Sequence, residues 1–188
     1  VMRKLFILLM FLFISAAVLG DSTRSLLKAP LIMTIRIDGT IDPAVARYID
    51  RGLTAAESKN ADIFIISIET PGGLDDSMRK IVKRIFAAKI PVVIYVSPQG
   101  ARAASAGAVI TLSADIAAMA PGTSIGAAHP VSIGGTELDE TMLKKIENDA
   151  AAYAKDLAKK RGRNVQWAEA IVRQSISSTS GEALEKNV

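Results

Sequence analysis

Two short segments of the sequence contain residue types suited to acyl chemistry. Ala103-Ala104-Ser105-Ala106-Gly107 places a serine among very small side chains at the predicted start of a helix. N–H groups in a first helical turn lack intrahelical partners and favour developing negative charge. Thr70-Pro71-Gly72-Gly73 supplies two glycine N–H groups that can stabilise an oxyanion. The simpler interpretations are a helix cap for Ser105 and a plain turn for the glycines.

A nucleophilic serine needs a base, and the sequence offers few. His129 is the single histidine, and it precedes Pro130 with no carboxylate flanking it in sequence. A lysine can replace histidine where burial, positive charge or a helix N-terminus favours its neutral form. Lys144 and Lys145 lie in the first turn of a long predicted helix, where the helix dipole has the required sign.

Helical periodicity separates these two lysines. Lys145 lies about 100° from the centre of an apolar arc about 80° wide, whereas Lys144 lies about 160° away, on the solvated side. The pattern therefore predicts that Lys145 reaches inward along the flank of the helix, although an ordinary exposed lysine pair has the same local sequence. The arc consists of Met142, Ile146, Ala150, Tyr153 and Leu157.

Strands alternating with helices must position these residues. Apolar runs predict strands at residues 31–37, 63–68, 92–96 and 116–119, with 63–68 buried on both faces. Predicted helices cover 43–59, 74–88, 103–112, 141–160 and 165–173, with a glycine-containing loop at 127–138 and a further helix start near Ser180. This order predicts an α/β fold with a mainly parallel sheet, and both candidate segments lie at carboxyl ends of strands, where such sheets bind ligands.

Composition excludes several classes of function. The 188 residues include no cysteine and one histidine, which excludes disulfides, a cysteine nucleophile and a multi-histidine metal site, so neither metal nor cofactor is expected. The formal charge of +4 comes mostly from residues 1–28, and the rest of the chain has 19 basic and 18 acidic residues. With aromatic residues at 5%, nucleic-acid binding is not indicated.

The first 28 residues have the pattern of an export signal. Met2-Arg3-Lys4 precedes an uncharged apolar run at residues 5–18, and small and polar residues follow it. We expect residues 1–28 to be a signal peptide or N-terminal membrane anchor with a linker. Residues 29–188 are then a domain that is exported or membrane-associated. A helix start close to Val188 leads us to expect a longer natural protein.

Three motifs together resemble those of the NfeD-type membrane serine proteases. These are Glu69-Thr70-Pro71-Gly72-Gly73, Gly100-Ala101-Arg102-Ala103-Ala104-Ser105-Ala106-Gly107 and Ala120-Pro121-Gly122-Thr123-Ser124-Ile125-Gly126. The family is also called the stomatin operon partner proteins. It belongs to the ClpP/crotonase superfamily, beside signal peptide peptidase A.

The resemblance implies a fold, an activity and a set of site residues. The fold would be a ClpP-like spiral of βαβ units, in a homodimer or larger homo-oligomer. The activity would be that of a serine endopeptidase that uses a serine–lysine dyad to cut hydrophobic segments, including those of stomatin-like membrane proteins. The dyad would be Ser105 and Lys145, with oxyanion donors in Gly72, Gly73 and Ala106. From the export signal at residues 1–28, we expect the catalytic domain to lie outside the cytoplasm.

Three alternatives stay open. His129 follows Ser105 by 24 residues, which is similar to the serine–histidine spacing of soluble ClpP proteases, so a Ser105–His129 pair is one. A crotonase-type acyl-CoA enzyme is the second, since that class shares the fold and the oxyanion hole. The third is a non-catalytic membrane scaffold that binds a stomatin-like partner through the same cleft.

Overall fold

A computed structural model describes residues 29–131 and 139–188. The predicted leader at 1–28 and most of the predicted loop at 127–138 lie outside the described residues. All the strands and helices described belong to one compact unit, Leu31–Val188. In chain order they are β1 (Ile32–Asp38), α1 (Pro43–Ser58), β2 (Ile63–Glu69), α2 (Asp75–Phe86), β3 (Val92–Val96), β4 (Arg102–Ala104), α3 (Ala106–Ser113), β5 (Ile116–Met119), β6 (Ser124–Gly126), α4 (Glu140–Lys160), α5 (Val165–Arg173), β7 (Ser177–Thr179) and α6 (Ser180–Glu185).

The main sheet is parallel, as predicted, with strand order β1-β2-β3-β5. Each pair of neighbouring strands is joined by a helix. Successive right-handed crossovers in one direction put α1, α2 and α3 on one face of the sheet. The mixed α/β architecture with a mainly parallel sheet is therefore confirmed.

Burial along β2 differs from the prediction that both of its faces are covered. Phe64, Ile66 and Ile68 are fully buried, whereas the residues between them are half-buried. The three buried side chains face the helices, because successive residues of a strand point to opposite faces. β-Branched residues on the second face made the run look continuously buried, so this part of the prediction was wrong.

Helix α1 begins where its capping residues predict. The Asp42 side chain accepts a hydrogen bond from the Val45 N–H at 2.8 Å, and Pro43 occupies the first helical position. In α2, Asp75 and Asp76 lie in the first turn, while Lys83 and Arg84 lie in the last. Both charge placements are favourable for the helix dipole.

The domain has a second sheet, of three strands, which was not predicted. Its strand order is β4-β6-β7, with β4 parallel and β7 antiparallel to β6. Residues 102–104 therefore form a strand, and the helix predicted to begin at Ala103 begins at Ala106. Small side chains are compatible with a helix and with a strand, and the strand forms here because Ala103 pairs with Ile125 of β6.

Helix α4 packs on the core through only part of the predicted apolar arc: Leu157 is buried, and Ala150 and Tyr153 are partly buried against the core. Met142 and Ile146, members of the predicted apolar arc, are 42% and 38% exposed. The prediction therefore holds for the second half of the helix and fails for the first. The remaining buried positions are alanines outside the arc, whose small side chains let the helices approach closely. The buried residues of α4 are Ala151, Ala154, Leu157 and Ala158.

Within residues 29–131 and 139–188, no helix has both the length and the apolar character needed to cross a membrane.

Candidate active site

Ser105 lies between β4 and α3, where the chain turns sharply. Its backbone has φ 52° and ψ −117°, a left-handed φ that costs a non-glycine residue about 1–3 kcal/mol. Although Ser105 occupies the N-cap position, its side chain makes no capping hydrogen bond. The interpretation of Ser105 as a routine helix cap therefore does not hold, because the hydroxyl is not used to satisfy the helix.

Backbone hydrogen bonds hold Ser105 in this conformation. Its N–H donates to the Gly126 carbonyl at 3.0 Å, and its own carbonyl accepts from the N–H groups of Ala108 and Val109 at 3.0 and 3.3 Å. All eight residues of α3 are buried, so Ser105 directly precedes a helix that has no exposed side. The surrounding structure thus maintains the strained conformation and fixes the direction of the side chain.

The glycine pair lies directly against Ser105. A Cβ at Gly72, whose φ is +116°, would lie 2.6 Å from the Cβ of Ser105. A Cβ at Gly73 would lie 2.1 Å from the Ile41 carbonyl oxygen. Neither position accepts a side chain, because such distances are shorter than any van der Waals contact. The plain-turn interpretation explains neither close approach.

The N–H groups of the two glycines differ in availability. The Gly72 N–H donates to Oγ1 of the buried Thr70 at 3.0 Å. Among the described residues no group accepts a hydrogen bond from the Gly73 N–H, and Ala106 is the first residue of α3, so its N–H has no intrahelical partner. Gly73, Ala106 and Ser105 all line one cavity, in which these two N–H groups are suited to bind an oxyanion.

Gly72→Ala is expected to reduce both stability and serine reactivity. The new methyl group would collide with Ser105 at a φ that side chains rarely adopt, so we expect a loss of about 3 kcal/mol of unfolding free energy. A shift of Ser105 by about 1 Å would lower its rate of acylation about 100-fold. Thermal unfolding and the rate of labelling by a fluorophosphonate measure the two effects.

Gly39→Ala is the matched control for this change. Gly39 has a similar φ of +122°, but a Cβ there would meet nothing within 4 Å. This variant therefore carries the backbone strain without the collision. Equal loss of labelling in both variants would contradict the contact between Gly72 and Ser105.

The cavity beside Ser105 has a volume of about 610 Å³ and mostly apolar walls. Its apolar surface comes from four helices and consists of Met78 of α2, Val109 of α3, Ala150 and Tyr153 of α4, and Val172 of α5. Burial raises the pKa of the Tyr153 phenol, so this side chain is protonated at neutral pH. The cavity is large enough for one or two apolar side chains of an extended peptide.

Lys145 lines the same cavity as Ser105, whereas Lys144 does not. Both lysines are exposed. The face of α4 toward the cavity includes Ile146, Ala150 and Tyr153, three members of the apolar arc predicted to face the core. Lys145 is thus on the cleft side of the helix because that arc faces the cleft.

His129 also lines the cavity. Its Nδ1 lies 3.0 Å from the carbonyl oxygen of Val172. Because a carbonyl only accepts, Nδ1 is the donor, and the neutral ring keeps its lone pair on Nε2. The structure therefore provides an orienting group for the imidazole that the flanking sequence lacks.

Arg79 of α2 points into the cleft. Its guanidinium pairs with Asp75 at 2.7 Å and with Asp149 of α4, and it stacks over the Tyr153 ring at 4.4 Å from the centroid. Burial lowers the pKa of Arg79, but the hydrogen bonds and charges of the two carboxylates outweigh this effect and raise it. No sequence pattern distinguishes Arg79 from its basic neighbours.

Thr70 and Gly126 also support the site, although the sequence interpretation gave them no role. Thr70 binds the Gly72 N–H and packs against Gly107, where a Cβ would lie 2.4 Å from the threonine methyl. Gly126 accepts from the Ser105 N–H. Both residues lie within the three motifs that resemble the NfeD-type proteases, and this position was the sequence feature that could have identified them.

The chain is similar to several known proteins. The family model described as "NfeD1b, N-terminal domain" matches residues 31–187. The membrane-bound protease PH1510 of Pyrococcus horikoshii is 42% identical over 178 residues, which is 93% of this chain and 40% of that protein. The membrane protein NfeD1b of Bacillus subtilis is 34% identical over 171 residues, 87% of this chain and 38% of that protein. The chain thus spans about two fifths of the length of these curated relatives.

Solved structures show the same fold. A serine-to-alanine mutant of the 1510-N membrane-bound stomatin-specific protease has a TM-score of 0.80 and 43% identity, covering 86% of this chain and 79% of that one. A lysine-to-alanine mutant of this protease, in complex with a substrate peptide, has a TM-score of 0.79 and 43% identity, covering 86% and 74%. ClpP1 of Listeria monocytogenes, at 20% identity, matches with a TM-score of 0.65 over 82% of this chain and 86% of that one, which shows the ClpP-like fold.

Proposed function

The chain belongs to the family of NfeD1b N-terminal domains, and from this premise we propose that it is a serine endopeptidase. Ser105 is the nucleophile, Lys145 the general base, and the N–H groups of Gly73 and Ala106 are the oxyanion donors. The observation that carries the proposal is the strained Ser105, whose hydroxyl caps nothing and which shares a cavity with Lys145 and both N–H groups.

The chemistry follows from these positions. Lys145 in its uncharged form accepts the Ser105 proton as Oγ bonds to the scissile carbonyl carbon. The carbonyl oxygen becomes an oxyanion bound by the Gly73 and Ala106 N–H groups. Protonated Lys145 then gives its proton to the leaving amine as the C–N bond breaks. Lys145 then deprotonates a water molecule, whose oxygen bonds to the acyl carbon. The bond from that carbon to Ser105 Oγ breaks, and protonated Lys145 returns the proton to Oγ as the second product leaves.

In this proposal Gly72 has a steric role, whereas Gly73 donates a hydrogen bond to the oxyanion. Its N–H is held by Thr70, and its missing side chain makes room for Ser105. Gly72 therefore acts on substrate binding only through the room that it leaves for the nucleophile, while the hydrogen bonds to the oxyanion come from Gly73 and Ala106.

The substrate class follows from the walls of the cleft. Met78, Val109, Tyr153 and Val172 offer an apolar surface, which suits a hydrophobic peptide segment. The related 1510-N protease is named as stomatin-specific. We therefore propose a hydrophobic segment of a stomatin-like membrane protein as the natural substrate.

Location and assembly are part of the same proposal. Two curated relatives are named as a membrane-bound protease and a membrane protein. With residues 1–28 as a signal or anchor, the domain at 29–188 is held at the membrane on its extracytoplasmic side, as a homodimer or larger homo-oligomer.

A Ser105–His129 pair is the second candidate, and one observation favours it. The Val172 carbonyl holds the imidazole with Nε2 as its acceptor, the form that a general base requires. The fold and the substrate class would be unchanged, and only the identity of the base would differ.

The direct test is labelling with a fluorophosphonate, followed by mapping of the modified residue by mass spectrometry. We expect one adduct, on Ser105, because its hydroxyl has no hydrogen-bond partner in the described part of the chain and lies beside the proposed oxyanion donors. The chain is also expected to cleave a fluorogenic peptide with apolar residues and to leave an enoyl-CoA thioester unchanged. Binding of the peptide with no cleavage and no adduct would support the scaffold function, and turnover of the enoyl-CoA would support a crotonase-type enzyme.

A further inference from the structure

We propose that Arg79 and Arg173 are positioning residues that clamp the first half of α4 and thereby hold Lys145 at the cleft. This inference rests on the proposed pairing of Ser105 with Lys145. It concerns two side chains that need not touch the substrate, and one of them lies outside the cavity.

The first half of α4 is not held by burial. Between residues 140 and 150 no side chain is buried, and the first buried residue of the helix is Ala151. Lys145 lies six residues earlier, about 9 Å along the helix axis. Apolar packing therefore fixes the second half of the helix, whereas the segment that carries Lys145 contributes no buried side chain and touches the core only at its end, through Ala150.

Arg79 fastens this segment from the side of α2. Its Nε donates a hydrogen bond to Asp75 of its own helix at 2.7 Å, and this bond fixes the orientation of the guanidinium, which extends across the cleft. A second nitrogen donates to Asp149, and the guanidinium carbon lies 4.4 Å from the centroid of the Tyr153 ring. Arg79 thus contacts α4 at two positions.

The two contacts of Arg79 lie in line with Lys145. Lys145, Asp149 and Tyr153 are spaced four residues apart, so they form one row along the helix surface. All three line the cavity. A contact that fixes the second and third members of the row also fixes the direction of the first.

Arg173 fastens the same turn from the side of α5. Its Nε donates to Glu169 of its own helix at 2.9 Å. One guanidinium nitrogen donates to Asn148 at 2.9 Å and to Glu147 at 3.4 Å. Residues 147 and 149 point about 200° apart around a helix. The two arginines therefore hold opposite sides of one turn, which restrains both sideways movement and rotation.

Loss of the clamp should affect turnover more than binding. A base displaced by about 1 Å costs about 100-fold in rate, and partial loss of restraint should cost about 10-fold. Because Arg173 does not line the cavity, Arg173→Gln should lower kcat about 10-fold with a change in KM of less than about 2-fold. Exposed ion pairs contribute little to global stability, so the variants should remain folded.

The experiment compares Arg79→Gln, Arg173→Gln and the double variant with the unmodified chain. Lys160→Gln is the matched control, because it removes an exposed ion pair with Asp156 at the other end of the same helix. Two measurements are made on each protein: amide hydrogen exchange at residues 141–149, and kcat and KM for a fluorogenic apolar peptide. Arg79→Lys, which keeps the charge, tests for partial rescue.

We expect faster exchange at residues 141–149 and lower kcat in both arginine variants, a larger effect in the double variant, partial recovery in Arg79→Lys and no change in Lys160→Gln. Unchanged exchange would overturn the clamp, whatever the activity. Faster exchange with unchanged kcat would overturn the positioning role while leaving the serine protease intact. If the unmodified chain neither cleaves the peptide nor labels at Ser105, the proposed function fails and the positioning role fails with it, whereas the exchange data still report on the clamp.

Discussion

Ser105→Ala is expected to lower peptide cleavage at least about 10⁴-fold, which corresponds to about 5.5 kcal/mol of transition-state stabilisation. The reason is that the reaction needs the Ser105 oxygen to form the acyl-enzyme, and the oxyanion donors alone give only a small residual rate. Rates of release from the fluorogenic apolar peptide, with a parallel fluorophosphonate reaction, measure the loss.

This variant should remain folded. The Ser105 side chain makes no capping bond, and the backbone hydrogen bonds with Gly126, Ala108 and Val109 do not depend on the hydroxyl. We expect the unfolding free energy to change by less than about 1 kcal/mol. Ser113→Ala is the control for loss of a serine hydroxyl elsewhere in the chain, since Ser113 ends the same helix, and it should still react with the probe. Cleavage by Ser105→Ala at an undiminished rate would exclude the proposed nucleophile.

Lys145→Ala is expected to reduce cleavage by about 10³-fold or more. Without the amine, Ser105 must lose its proton to water, and loss of general base catalysis costs about 10²–10⁴-fold. Because Lys145 is exposed and belongs to no ion pair in the described part of the chain, stability should not change measurably. The measurement is kcat/KM for the apolar peptide at neutral pH.

Two further variants identify the base. Lys144→Ala should change kcat/KM by less than about 2-fold, because the residue does not line the cavity and exposed lysines tolerate truncation. His129→Ala removes the rival base and should leave most of the activity. If the histidine variant is nearly inactive and the Lys145 variant is not, the imidazole held by Val172 is the base. Equal loss in both lysine variants would contradict the assignment of the two lysines to different faces.

Local sequence rules predicted the main sheet well because its signals are short-range. Asp42-Pro43 caps a helix, and apolar runs ended by turns form the parallel strands. The second sheet escaped prediction, since β4, β6 and β7 have three residues each and exist through pairing with distant segments. A three-residue strand has no periodicity to detect.

The candidate site also has some features that the sequence predicted and others that it did not. The motifs around Gly72 and Ser105 were apparent from sequence, because tight turns require glycine and small residues at fixed positions. The side-chain contacts across the cleft were not, since Arg79 and Asp149 are 70 residues apart and each looks like an ordinary surface charge. The first half of α4 was predicted to be more buried than it is, because apolar side chains such as Ile146 line a cleft as readily as they fill a core.

The complete burial of α3 has a consequence for how heat would inactivate the protein. Ser105, the proposed nucleophile, precedes a helix that moves only when the core opens, whereas Lys145, the proposed base, lies on a helix end held by exposed ion pairs. Local opening requires less free energy at such an end than at the core. We therefore expect warming to separate Lys145 from Ser105 while the rest of the domain is still folded, and cooling to bring them together again without refolding of the domain.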